Sequence, residues 1–213
     1  MICVSVGKKG YDACARAVSG LGFAEVRLDM AGLTVDETKR LFAAHPNLIA
    51  TFRPGAASAA ARRQCLLAAV HAGAAYVDVE LEAPEGYRKR LVGAARDHRC
   101  RVIVSHHDDD RTPDRETLSV IAARCFDAGA DVAKVACRVR TEQDSARLLG
   151  LLDSEKRIVV VGMGEKGLIT RLAAPLLGAP FTFAALEEGE ETAPGQWGHA
   201  RLREALAKLG WRE

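Results

Sequence analysis

Lys134 stands in the apolar run Ala130-Asp131-Val132-Ala133-Lys134-Val135-Ala136, whereas every other lysine lies among polar neighbours, beside glycine or on a helix surface. An ammonium inside a β-sheet loses hydration unless it is paired or gives up its proton. A desolvated lysine that has lost its proton attacks a carbonyl carbon and forms a Schiff base. A lysine on an edge strand can instead guard against aggregation. Apolar residues on both sides favour a buried, functional lysine.

Other reactive side chains recur where apolar runs end. They are Glu25, Arg27 and Asp29, then Arg53, then Asp78 and Glu80, then Ser105, His106 and His107, and later Arg171. Strand alternation puts Glu25, Arg27 and Asp29 on one face, and likewise Asp78 and Glu80. A histidine beside a lysine-bound carbonyl compound is a natural proton shuttle. His106 and His107 point to opposite faces of a strand and cannot share one ion, so no metal site is expected. Asp108-Asp109-Asp110 reads as a solvated acidic loop. One motif points elsewhere. Gly162-Met163-Gly164-Glu165-Lys166-Gly167 fits the dinucleotide fingerprint after a strand, with Glu187 about twenty residues on. It lies too late in the chain to complete a mononucleotide-binding half, and it leaves the lysine and histidine unused.

Eight β-rich apolar runs can position these groups: Ile2–Val6, Ala24–Leu28, Leu48–Phe52, Tyr76–Leu81, Arg101–Ser105, Val132–Ala136, Ile158–Val161 and Phe181–Ala184. Segments of helical spacing lie between them, such as Ala57–Ala72, Tyr87–His98 and Glu116–Ala128. Gly73, Gly129 and Gly178 are placed to end helices in the left-handed conformation. Thr112-Pro113-Asp114 is expected to open a helix with proline near its first turn. Eight strand–helix alternations read as an α/β fold, a compact single-domain (β/α)8 TIM barrel spanning residues 1–213, with a doubly wound open sheet as the alternative. In a barrel, reactive groups gather at the C-terminal ends of strands, which is where the polar residues recur.

Composition removes several functions. A net charge of +2, with acidic and basic residues interspersed, leaves no basic stripe for nucleic acid. Arg62-Arg63 and Arg88-Lys89-Arg90 read as solvated helix faces. No apolar run reaches the roughly 18 residues of a membrane span, and the N-terminus lacks a signal-peptide pattern. The six cysteines form no Cys-x-x-Cys pair and several sit in apolar stretches, as in a reduced, cytoplasmic protein.

Taken in order, these pieces resemble type I 3-dehydroquinate dehydratase, the Schiff-base enzyme of the shikimate pathway. The resemblance is carried by Glu25-Val26-Arg27-Leu28-Asp29, Thr51-Phe52-Arg53, Asp78-Val79-Glu80-Leu81 and Val104-Ser105-His106-His107-Asp108. It continues through the Lys134 run, Gly162-Met163-Gly164 to Thr170-Arg171-Leu172, and Thr192-Ala193-Pro194-Gly195-Gln196. It implies that Lys134 forms an imine with the ketone of 3-dehydroquinate, that His107 is the acid/base, and that Glu80 orients it. It implies that Arg171 and Gln196, with Thr192, hold the substrate carboxylate, while Glu25, Arg27 and Arg53 contact ring hydroxyls. The expected chemistry uses no cofactor, metal or nicotinamide, and the expected assembly is a homodimer. The amine must be free near neutral pH, which apolar burial and cationic neighbours would favour. Thr192 stands where the family often has serine, and the chain leaves no room for a long N-terminal extension. The alternatives are another Schiff-base barrel of the aldolase type and a dinucleotide-binding oxidoreductase.

Overall fold

The computed structural model describes residues 1–212. Its strands are β1 (Ile2–Val6), β2 (Ala24–Arg27), β3 (Leu48–Thr51), β4 (Tyr76–Glu80), β5 (Arg101–Asp108), β6 (Val132–Arg138), β7 (Ile158–Met163) and β8 (Thr182–Ala185). The helices are α1 (Tyr11–Val18), α2 (Leu28–Ala31), α3 (Val35–Ala44), α4 (Ala59–His71), α5 (Glu85–Asp97), α6 (Arg115–Asp127), α7 (Glu142–Leu149), α8 (Leu168–Leu176) and α9 (His199–Lys208). All ladders are parallel, in the order β7-β6-β5-β4-β3-β2-β1-β8. β7 and β8 approach each other without a ladder, so the barrel is nearly closed. The open-sheet alternative falls, because β8 returns to pair with β1.

Residue parity divides the core in two. Val26, Ala50, Val77, Val79, Val104, Val135 and Val160 pack outward with the helices. Cys3, Ile49, Tyr76, Ile103, Val132, Val159 and Phe181 occupy the other faces and fill the barrel with Phe23 and Phe183. This is the period-two pattern of strands buried on both sides. Phe23, Tyr76 and Phe181 meet with ring centroids 5.3–5.9 Å apart and plug the interior. Following the same parity toward the C-terminal ends leads from this plug to Ser5, Glu25, Thr51, Asp78, Ser105 and Lys134, all buried. The strands β1 to β6 therefore run from apolar to polar on their inward faces, whereas β7 and β8 stay apolar through Val161, Met163 and Phe183.

Strand lengths differ from the sequence-based bounds at the site. β5 continues through His106, His107 and Asp108, and β6 and β7 also run two residues further. Phe181 falls just before β8, and Leu28 already belongs to α2. Gly73, Gly129 and Gly178 adopt φ values of 100°, 98° and 95°, as the left-handed caps require. Before α6 the cap is Asp114, whose side chain accepts a 2.8 Å bond from the Thr117 amide. Pro113 thus precedes the cap rather than entering the first turn, because the carboxylate satisfies the free amide.

Gly162 and Gly167 have a structural use. A Cβ on Gly167 would lie 2.3 Å from the Gly162 carbonyl, and one on Gly195 would lie 2.6 Å from the Gly164 oxygen. These glycines let the turn after β7 fold tightly and the loop after β8 rest upon it. That close packing within a barrel accounts for the fingerprint without a dinucleotide.

Candidate active site

A cavity of about 620 Å³ opens at the C-terminal ends of the strands. Its lining brings together all nine residues singled out in the sequence: Lys134, His107, Glu80, Glu25, Arg27, Arg53, Arg171, Thr192 and Gln196. Lys134 is 6% exposed and is the buried lysine among the described residues. Its Nζ lies 3.2 Å from Asp78 Oδ2, 3.8 Å from Glu25 Oε1 and 4.4 Å from the centre of the Phe183 ring. Arg27, Arg53 and Arg171 line the cavity mouth, whereas the charged groups in contact with the amine are carboxylates.

Asp78 is the hub that the sequence reading left unassigned. Arg53 reaches both its oxygens, at 3.0 and 2.7 Å, and Ser105 Oγ donates to Oδ1 at 2.6 Å. Burial pushes this carboxyl upward, but the Arg53 and Lys134 charges outweigh it and hold Asp78 well below the usual carboxylate range. Burial also works against the Arg53 guanidinium, and Asp78, Glu80 and Glu25 reverse that effect and keep it charged. The signal for Asp78 was its spacing: two residues before Glu80, it shares that residue's inward face. Glu25 is fixed from both sides, by Ser5 Oγ at 2.7 Å and Thr51 Oγ1 at 2.8 Å.

His107 lines the cavity from β5, the strand beside Lys134. Burial, then the charges of Arg53 and Lys134, pull its imidazole well below the ordinary histidine value despite Asp78. At neutral pH it is an uncharged base. Its neighbour His106 pairs with Glu82, as opposite-facing strand positions require. The expected support of His107 by Glu80 is not made among the described residues. Glu80 instead accepts from Arg53 at 2.9 Å and from Arg62 at 2.8 Å. Arg62 therefore departs from the solvated helix face expected of it: it is 8% exposed, on the buried side of α4. Arg88 is half-buried and donates to the Leu81 carbonyl at 2.7 Å, while Lys89 and Arg90 are exposed as expected.

Arg171 sits on the first turns of α8, 1% exposed. Its Nη atoms reach only the carbonyls of Phe183 and Pro194, both at 3.3 Å, and its Nε has no partner. Burial draws it down to about 10, so it remains a cation at neutral pH, without a carboxylate partner among the described residues. Above it, Gln196 Oε1 gathers the amides of Thr192 and Ala193 at 2.8 and 3.2 Å, and Thr192 Oγ1 at 3.2 Å. Arg27 holds Asp29 through two bonds and the Thr192 carbonyl at 2.9 Å. The loop after β8 is thus folded over the cavity. No cluster of three or more metal-ligating side chains occurs among the described residues.

Residues 2–212 match the family described as Type I 3-dehydroquinase. The 3-dehydroquinate dehydratase of Thermococcus onnurineus is 33% identical over 99% of this chain and 98% of its own. That of Methanococcoides burtonii is 38% identical over 62% of this chain, a match that spans 56% of the relative. Among solved structures, the type I 3-dehydroquinate dehydratase of Clostridium difficile, determined with covalently modified comenic acid, superposes with a TM-score of 0.85. It is 25% identical, with 98% of this chain and 91% of that one covered.

Proposed function

The chain belongs to the type I 3-dehydroquinase family, and from that premise we propose that it dehydrates 3-dehydroquinate to 3-dehydroshikimate through an imine on Lys134. The observation that carries the assignment of Lys134 is its Nζ, buried in the cavity beside Asp78 and within one strand of a neutral His107. Asp78 and Glu25 hold the side chain in place; once the ammonium has released its proton to solvent, the amine attacks the C3 ketone. The carbinolamine loses water, and the resulting iminium is an electron sink for the bond to the C2 proton. His107 removes that proton, and the electron pair enters an enamine. The enamine expels the C1 hydroxyl, which leaves as water with the proton returned by His107. Hydrolysis of the conjugated iminium then frees the product and restores the amine. Electrons and atoms balance without a metal or nicotinamide.

Substrate placement follows from charge. Arg171 is a cavity cation without an anion among the described residues and takes the substrate carboxylate, with Gln196 and Thr192 closing over it. Glu25, Arg27 and Arg53 face the ring hydroxyls. We read the enzyme as a cytoplasmic homodimer. Its six thiols are all free and buried. Ile169 and Leu176, seven apart on α8, and Leu177 just after its end lie 51%, 43% and 54% exposed and supply an apolar face for the second copy. Light scattering of the purified protein checks the dimer.

Borohydride added with 3-dehydroquinate tests the mechanism. The adduct is expected on the peptide containing Lys134, with loss of activity. His107→Ala is expected to keep forming the adduct while elimination falls by about 10²–10⁴-fold. An adduct on another lysine, with Lys134 unmodified, would overturn the assignment.

A further inference from the structure

On α4 the buried positions Arg62, Cys65, Leu66, Ala69 and Val70 follow spacings of three and four, so they form one core-facing stripe. Arg62 occupies the first turn of that stripe, where an apolar residue would ordinarily pack. Its Nε donates to the Phe52 carbonyl at 3.1 Å and its Nη2 to Glu80 Oε2 at 2.8 Å. Its guanidinium carbon lies 5.6 Å from the centre of the Tyr87 ring. A buried arginine costs desolvation, and its location explains what offsets that cost. Arg62, Glu80, Arg53, Asp78, Lys134 and Glu25 form one file of alternating charge, with successive contacts of 2.8, 2.9, 2.7, 3.2 and 3.8 Å.

We propose that Arg62 is a positioning residue for Lys134: by occupying Glu80 it keeps Arg53 on Asp78, and through Asp78 it sets the amine. The inference rests on the reading of Lys134 as the imine-forming group. Arg53 has two carboxylates competing for it, since the same Nη1 reaches Asp78 at 3.0 Å and Glu80 at 2.9 Å. With Arg62 in place, Glu80 has a second cation and Arg53 keeps its two-pronged grip on Asp78. Without it, Glu80 has Arg53 as its one remaining cation among the described residues and draws it away from Asp78. Asp78 then turns its full charge on Lys134, and the ammonium yields its proton less readily. The whole file is coupled because each member lies in a poorly screened interior.

The test follows imine formation by borohydride quench in single turnovers, alongside steady-state kinetics. Arg62→Met is expected to slow imine formation roughly 10- to 100-fold, the span of one charge-assisted hydrogen bond, and to lower kcat in parallel. KM for 3-dehydroquinate should stay within about threefold, because Arg171 is untouched. Arg62→Lys should recover only in part, to roughly three- to tenfold below wild type, since an ammonium meets Glu80 but cannot also reach the Phe52 carbonyl. Arg62→Met combined with Glu80→Gln should form the imine faster than Arg62→Met alone, as no carboxylate remains to compete for Arg53. A purely structural role would reduce the trappable fraction and leave the rate per trappable site unchanged, and that result would overturn the proposal. So would a double variant no faster than Arg62→Met. Should Arg62→Met not fold, Arg62→Lys decides, and a wild-type imine rate in that variant counts against the role. A wild-type enzyme that turns over without an adduct on Lys134 removes the imine itself, which is a separate failure.

Discussion

Arg53 and Arg171 are both drawn into the same cavity, from two sectors of the barrel that treat a buried guanidinium in opposite ways. In the sector built by β2 to β6, Arg53 meets Asp78 and Glu80, and each carboxylate has a further cation in Lys134 or Arg62. In the sector of β7, α8 and β8, Arg171 meets two carbonyl oxygens and otherwise Val161, Met163 and Phe183 share the wall. Desolvation dominates where no counter-charge is supplied, which is why Arg171 alone of the two is pulled downward. The first sector is complete in itself and holds reactive groups in a set geometry. The second leaves a charge unmatched, and a ligand carboxylate supplies the missing partner.

Substituting each arginine in turn breaks this contrast most directly. Arg53→Met leaves Asp78 to Lys134 and Glu80 to Arg62, and removing one partner of a buried ion pair costs about 3–5 kcal/mol, so denaturant unfolding should show a loss of that order. Turnover should collapse with it. Arg171→Met should change stability by less than about 1 kcal/mol, because removing a desolvated charge offsets two long hydrogen bonds. Its effect should appear in KM, raised roughly 10- to 100-fold for the loss of a charge-assisted pair. Equal destabilisation by the two substitutions would show that Arg171 is structurally matched after all.

Proton titration of His107 sharpens the same comparison. A neutral imidazole is the active base, so activity carried by it is full above its pKa and lost as pH falls through it. With burial, Arg53 and Lys134 all acting downward, that loss lies well below the ordinary value of 6.5. Replacing Arg53 by methionine removes one of the downward effects, and the ring should titrate at higher pH. Replacing Arg171 should move it less, because burial, Arg53 and Lys134 are the leading causes of the downward shift. The His107 ring proton signals in NMR follow both cases directly.

Most of the first sector was legible from sequence, since alternation along a strand decides which residues share a face. Glu25 with Arg27 and Asp78 with Glu80 are such pairs, and the isolated Lys134 marked the cavity unaided. What stayed hidden depends on contacts between distant segments. Arg62 looked like half of a solvated Arg-Arg pair, because helical spacing places it on the buried stripe only once Cys65, Leu66 and Ala69 are known to face the sheet. The occupation of Glu80 by two arginines, from the end of β3 and from α4, is a property of packing that no local pattern carries. The missing β7–β8 ladder likewise reflects how the strands meet, which the apolar run at Phe181 did not reveal.

The smallest expected effect belongs to the lid of the second sector, and it separates hydrogen bonding from packing there. Gln196 Oε1 accepts from two backbone amides and from the Thr192 hydroxyl, while its Nε2 lies 3.4 Å from Ser5 Oγ. The amide therefore folds the loop as well as facing the cavity, and Gln196→Ala should raise KM by roughly 5- to 30-fold, with one to two kcal/mol of orphaned donors. Thr192→Ser keeps the hydroxyl that meets Gln196 and removes only the methyl. That methyl is in a half-buried side chain close to Gly7, where a Cβ would come within 3.4 Å of it. A fully buried methylene is worth about 0.8 kcal/mol, so the half-buried methyl sets an upper bound near twofold in KM. Serine also rotates more freely about its first torsion than threonine, which loosens the hydroxyl slightly in the same direction. Steady-state kinetics of the two variants should thus rank Gln196→Ala well above Thr192→Ser. A loss of tenfold or more in Thr192→Ser would mean that the methyl, packed beside the turn at Gly7, closes the lid, and that the hydrogen bonds to Gln196 merely follow.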